Sequence, residues 1–220
     1  MKLSSVVLCC LMSSVSALTA NSSPSSQELT FRQKHIVAIA AYTGQGNLHQ
    51  LRPALNAALD SGLTINEIRE VLVHSYAYCG FPRSIRGLQA FISVLDKRKS
   101  RGITDAPGRD ASPLKDKRSR YNRGCAILAE LSGVPANAPK AAYAEFAPVM
   151  ERFLKEHLFA DIFERDVLTY DERELATVSI LAAIGGVEPM ARSHMDICLN
   201  LGITPGQLCQ LLDIVSRNIG

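Results

Sequence analysis

From Leu29 onward, apolar residues return every three or four positions, the spacing of helices that bury one face. The segment "LTFRQKHIVAIAAYTG", Leu29 to Gly44, puts Phe31, Ile36, Ile39 and Ala40 on one side. It opens with Thr30 and Gln33, the spacing of a capping box in which each residue satisfies the other's free N–H. "LRPALNAALDSG" follows and ends at Gly62, a helix-stop residue. "TINEIREVLVHSYAY" restarts the pattern with Thr64 and Glu67 at the same spacing, and its predicted buried stripe carries Ile65, Ile68, Leu72 and Cys79. No stretch alternates as a half-buried strand does, so the pattern predicts an all-α protein.

The pattern is then used a second time. "LTYDERELATVSILAAIG" from Leu168 repeats the first segment, with Thr169 and Glu172 where Thr30 and Gln33 stood. Arg192 answers Arg52, Leu199 answers Leu59, and "NLGITPGQLCQLL" answers "DSGLTINEIREVL", with Gly202, Thr204 and Gln207 in the places of Gly62, Thr64 and Glu67. The first copy runs on into the corner "HSYAYCGFPRS" and a further helix, whereas the second stops at Gly220, where that corner would begin. The second copy is preceded instead by "SRYNRGCAILAEL" and "AAYAEFAPVMERFLKEHLFADIFER", which have no counterpart before the first. Between them, "SRGITDAPGRDASPLKDK" reads as a long surface linker. The predicted organisation is a first repeat over 29–99, a linker over 100–118 and a second repeat over 119–220.

Composition adds little to this picture. The chain has 220 residues, 47% of them apolar, and a formal net charge of +3, enough for one substantial core or two small ones. The basic run Lys97, Arg98, Lys99 and Arg101 lies at a helix end with few aromatics near it, so a solvated last turn is expected rather than a nucleic-acid surface. The start of the chain does change the picture: Met1-Lys2 and "LSSVVLCCLMSSVSALTA" read as an export signal over 1–20, cleaved after Ala17 or Ala20, with a polar tether over 21–28. The expectation is an exported protein, periplasmic or secreted, with no membrane span and no nucleic-acid partner. Cleavage removes Cys9 and Cys10 and leaves Cys79, Cys125, Cys198 and Cys209, with no C-x-x-C and no metal-ligand spacing. Cys198 and Cys209 fall at apolar positions and are expected as buried thiols.

"LFADIFERDVLTYDERELATVSILAAIGGVEPMARSHM" and "EVLVHSYAYCGFPRSIRGLQAF" resemble the central and C-terminal signatures of the carboxymuconolactone decarboxylase family, which is related to the alkylhydroperoxidase D-like proteins. The resemblance covers nearly all of the chain after the leader. It implies two alkylhydroperoxidase D-like helical repeats of antiparallel helix pairs, and a homotrimer that mimics a hexamer of single domains. It also implies a lyase or isomerase that needs no cofactor and acts on a small anionic lactone or enolisable acid. The peroxidase relatives use a C-x-x-C, a histidine one turn later and a glutamate about one helix upstream. The glutamate falls on Glu174 and the histidine on His194, but the cysteine places are Val187 and Met190, and in the first copy the three places hold Asn47, Gln50 and Ala54. A dithiol relay needs two thiols, so that mechanism is disfavoured.

Decarboxylase chemistry asks for a proton-transfer group, a developing-oxyanion donor and a carboxylate clamp. His194 is the candidate for the first, with Glu174 beside it, and Tyr78 for the second. Arg83 and Arg192 are the candidate clamps, with Tyr76, His74, Cys79 and Phe81 as further pocket-lining residues. No metal site is expected. Each residue has a plainer alternative: His194 as a helix-surface residue bonded to Glu174, His74 as the i+4 ion-pair partner of Glu70, Cys79 as a small buried thiol, and Phe81 as the apolar anchor of the Gly-Phe-Pro corner. A redox protein using Cys79 or Cys125 alone, and a non-catalytic helical oligomer that binds a small ligand, stay open at this level.

Overall fold

The computed structural model describes residues 28–219, so the export signal and the tether up to residue 27 lie outside the described residues. The described residues are all-α, with no strand. The helices are α1 (Phe31–Gln45), α2 (Leu48–Asp60), α3 (Ile65–Ser100), α4 (Arg120–Ser132), α5 (Ala142–Phe146), α6 (Pro148–Phe153), a π-helix (Leu154–Phe163), α7 (Tyr170–Ile184), α8 (Glu188–Asn200) and α9 (Pro205–Ile219). Among them no helix is long and apolar enough to cross a membrane.

All four predicted capping pairs form. Thr30 N–H donates to Gln33 at 3.0 Å, Thr64 N–H to Glu67 at 2.7 Å, Thr169 N–H to Glu172 at 3.1 Å and Thr204 N–H to Gln207 at 2.9 Å. Gly80 breaks α3, with φ 80 and ψ 159, a conformation that a Cβ disfavours, and Pro82 starts the second leg where a missing N–H costs nothing. The corner is therefore a helix break, as its residues suggest.

The two repeats pack about a pseudo-two-fold axis. Arg32 bonds Glu172 while Gln33 donates to Asp171 at 3.4 Å, and Arg32 corresponds to Asp171 as Gln33 does to Glu172. Such reciprocal contact is the mark of a two-fold relation. Further along, Gly44 lies against Ile180, so α1 and α7 run side by side in the same direction. Helices α3 and α9 each pack against both. Ile36, Ile39, Leu51, Leu72, Ala176 and Ile180 join one core; Val37, Ala41, Leu175, Val178, Leu208 and Leu211 join the other.

The unmatched segments before α7 build a third cluster over the groove between α3 and α7. Leu158, Phe159, Ile162 and Phe163 of the π-helix pack with Ile127 and Leu131 of α4 and Ile197 of α8. Burying each such side chain stabilises by roughly 1.5–3 kcal/mol before entropy is counted. Gly124 lets α4 and the π-helix touch backbone to backbone: a Cβ there would fall 1.7 Å from the Lys155 carbonyl oxygen.

Several expectations need correction. Phe31 is 81% exposed and belongs to no core stripe. Within the linker, the Ala106 and Pro107 carbonyls accept from the Ile65 and Asn66 N–H groups, two orphan donors at the start of α3. Arg98 leaves the predicted solvated basic run, becoming buried between Asp60 and Asp105, each at 2.8 Å. Cys198 is a buried thiol as expected, and Cys209 is only partly buried.

Candidate functional site

Helices α3, α7 and α8 bring Tyr78, Glu174 and His194 together. Glu174 sits on the buried face of α7 with its side chain fully out of solvent, and His194, 14% exposed, reaches in from α8 until Nδ1 is 2.7 Å from Glu174 Oε2. The oxygen of a carboxylate can only accept, so Nδ1 carries the hydrogen and Nε2 presents its lone pair. Nε2 has no hydrogen-bond partner among the described residues. Glu174 Oε1 and the Tyr78 hydroxyl are likewise buried without a partner there. The Tyr78 ring lies edge-on to His194, with centroids 5.6 Å apart. Burial, and then the charge of Glu174, push the Tyr78 phenol well above its usual range, so it stays a donor.

A second layer stands behind Tyr78. Its other neighbour is the His74 ring, 5.3 Å away and tilted, which Phe163 of the π-helix covers edge-on at 5.3 Å. Arg173 donates to His74 Nδ1 at 3.3 Å, which makes that nitrogen the acceptor and leaves the hydrogen on Nε2. Nε2 then donates to Thr177 Oγ1 at 2.8 Å, and the threonine hydroxyl donates in turn to the Arg173 carbonyl at 2.9 Å. Glu70 receives Arg165 through two bonds at 2.8 and 2.9 Å and Arg173 at 2.8 Å. His74 is therefore not the ion-pair partner of Glu70, because the two arginines occupy that carboxylate.

Burial, and then the charge of Arg173, drive the His74 pKa well below 6.5. Above about pH 6.5 the group is neutral folded or unfolded and adds no slope to stability. Below it, only the unfolded chain takes up the proton, so stability falls as pH falls. Wild-type protein is expected to lose stability steadily from pH 6.5 to pH 5 in urea titrations, and His74→Gln to flatten most of that slope. His35, lowered by burial as well, leaves a residual part. An unchanged slope in the variant overturns the assignment.

The remaining predicted residues do not join. Tyr76 stacks on Phe81 at 4.5 Å, beside His157, and Phe81 is 63% exposed rather than an anchor in the core. Cys79 donates to the Ser75 carbonyl at 3.1 Å, and burial pushes its thiol up to about 11 despite the nearby Arg83. Arg83 is exposed next to Gly46, and Arg192 is exposed on α8. Neither shares a hydrogen bond with the Glu174, His194 and Tyr78 group. Sequence reasoning missed Arg173 and Thr177. Their signal was present, since polar residues stood on a helix whose every residue from Glu172 to Leu181 is buried, but only the partner helix shows what they hold.

An open hollow of about 590 Å³ lies on the opposite side of the pseudo-axis, lined by Lys34, Gln210, Asp213, Ile214 and Arg217 among others. The repeat places Lys34, Gln210 and Ile214 where Arg173, Glu70 and His74 stand. The first copy lacks the dyad as well: His35 and Ala54 occupy the places of Glu174 and His194. Among the described residues no group of three or more His, Cys, Asp or Glu could hold a metal ion.

The sequence model of the carboxymuconolactone decarboxylase family matches residues 15–92 and 148–217, one stretch in each repeat. The chain is also similar to the 4-carboxymuconolactone decarboxylase of Acinetobacter baylyi (strain ATCC 33305 / BD413 / ADP1), 26% identical over 94 residues that cover 42% of this chain and 69% of the relative.

Proposed function

The chain belongs to the carboxymuconolactone decarboxylase family, and from that premise we propose that it is a lyase or isomerase acting on a small lactone or enolisable acid without a cofactor. One observation carries the reading: the buried Glu174 holds His194 by Nδ1, the Tyr78 ring lies edge-on to His194, and Nε2, Glu174 Oε1 and the Tyr78 hydroxyl make no hydrogen bond among the described residues. Nε2 accepts a proton from carbon, and the buried carboxylate stabilises the imidazolium that results. Tyr78 donates to the oxygen on which charge develops. Three such chains assembling into a homotrimer belong to the same proposal.

The redox reading with a lone cysteine is weaker, because a thiol raised to about 11 and bonded to a carbonyl is a poor nucleophile at neutral pH. Turnover of a small panel of unsaturated lactones and enolisable acids separates the two. Tyr78→Phe is expected to lower the rate by about 10²-fold, the scale of one oxyanion donor, with Cys79→Ser within a factor of about three of wild type. The reverse order, Cys79→Ser inactive and Tyr78→Phe active, removes the proton-transfer reading.

A further inference from the structure

We propose, on the basis of the proton-transfer reading above, that the reacting end of the substrate is an uncharged enolisable carbonyl rather than a carboxylate, so that the chain moves a double bond by proton transfer and releases no carbon dioxide. The polar groups left without partners define the ligand. Tyr78 offers a hydrogen and therefore takes an acceptor oxygen. Glu174 Oε1 and His194 Nε2 offer lone pairs and therefore take hydrogens, an acidic C–H or an O–H.

The charges point the same way. Glu174 is a fully buried carboxylate, and a second carboxylate beside it in a low-dielectric site is strongly disfavoured. The arginines that could offset it are elsewhere: Arg83 and Arg192 are exposed and outside the group. Arg173, whose charge acts on Tyr78, is fully buried, bonded to His74 and paired with Glu70. A ligand carboxylate would have to displace Glu70 to reach it. A carboxylate at the far end of the substrate, in solvent, meets no such penalty.

The step balances within the chain and its ligand. Nε2 of His194 takes the proton from the carbon next to the carbonyl, and the C–H electron pair becomes a carbon–carbon double bond. The carbonyl π pair moves to oxygen, where the Tyr78 hydroxyl donates to it. The imidazolium, held by Glu174 and partly open to solvent, then returns a proton, the one it took or one exchanged with solvent, to the far carbon of the dienolate, giving the conjugated isomer and the original His194. No oxidant, reductant or water is consumed.

The test is deuterium exchange and double-bond migration followed by NMR in D2O, with α-angelica lactone as the neutral probe and the same ring bearing a carboxylate as the charged one. The expected result is exchange and migration of the neutral lactone at least tenfold faster than of the carboxylated one, without carbon dioxide, and abolished in His194→Ala. Faster reaction of the carboxylated probe with release of carbon dioxide overturns this inference and leaves the proton-transfer reading standing. Exchange of neither probe above the His194→Ala background overturns both.

Discussion

His194→Ala is expected to lower turnover of an enolisable substrate by about 10²–10⁴-fold, the contribution of a positioned general base. The size follows from the geometry. Nδ1 is committed to Glu174 at 2.7 Å, so the ring cannot turn away and Nε2 is already the basic atom. The loss falls on kcat with little change in KM, because the contact strengthens only as the proton moves. A histidine that merely supported the fold would behave differently, lowering stability and expression while the surviving folded protein kept its rate. Two further readouts separate these cases. Added imidazole restores part of the rate in His194→Ala, and Glu174→Gln combined with His194→Ala costs hardly more than His194→Ala alone, since the two act as a unit. Activity of His194→Ala within threefold of wild type would falsify the assignment.

Glu70→Ala has the largest expected effect on stability, roughly 3–5 kcal/mol, the cost of leaving a buried charge without its partner. Arg173 is fully buried and relies on Glu70 for its charge partner. Burial pushes the Glu70 carboxyl up, but the hydrogen bonds from Arg165 and Arg173 outweigh it and hold the carboxyl below its usual range. Removing it strands Arg173 and, through it, loosens His74 and the ring wall behind Tyr78. Urea denaturation of wild type, Glu70→Ala and Glu70→Ala/Arg173→Leu is the measurement. The double variant is expected to recover part of the loss, because the stranded charge is gone. A single-variant cost below about 1 kcal/mol, the range of surface pairs, contradicts the buried-pair account.

How much of the site the sequence shows depends on how far each signal reaches along the chain. Thr30 with Gln33, Thr64 with Glu67, Thr169 with Glu172 and Thr204 with Gln207 are legible because capping joins atoms three residues apart. Gly80 and Pro82 are legible for the same local reason. Glu174 and His194 stand out through the family resemblance, and their hydrogen bond matches the plainer expectation for His194 as well as the chemical one. What the spacing does not show is burial. The i+4 spacing of Glu70 and His74 suggests an ordinary pair on one helix, yet Arg165 and Arg173 compete for that carboxylate from across the groove. Arg83 and Arg192 have the right chemistry for an anion, and within one chain both are exposed and share no hydrogen bond with Glu174, His194 or Tyr78.

The sequence by itself therefore determined the all-α class, the helix starts, the corner at Gly80 and the use of one unit twice, since each rests on backbone preference and hydrophobic period within a turn or two. Only the tertiary structure decided what surrounds Glu174 and His194. It laid the π-helix and α4 over the α3–α7 groove and drew Glu70, His74, Arg173 and Thr177 out of water. It also set Tyr78 between His74 and His194. The physical reason is that the strength of a charge or hydrogen bond depends on the dielectric around it, and that surrounding is assembled from segments up to a hundred residues or so apart.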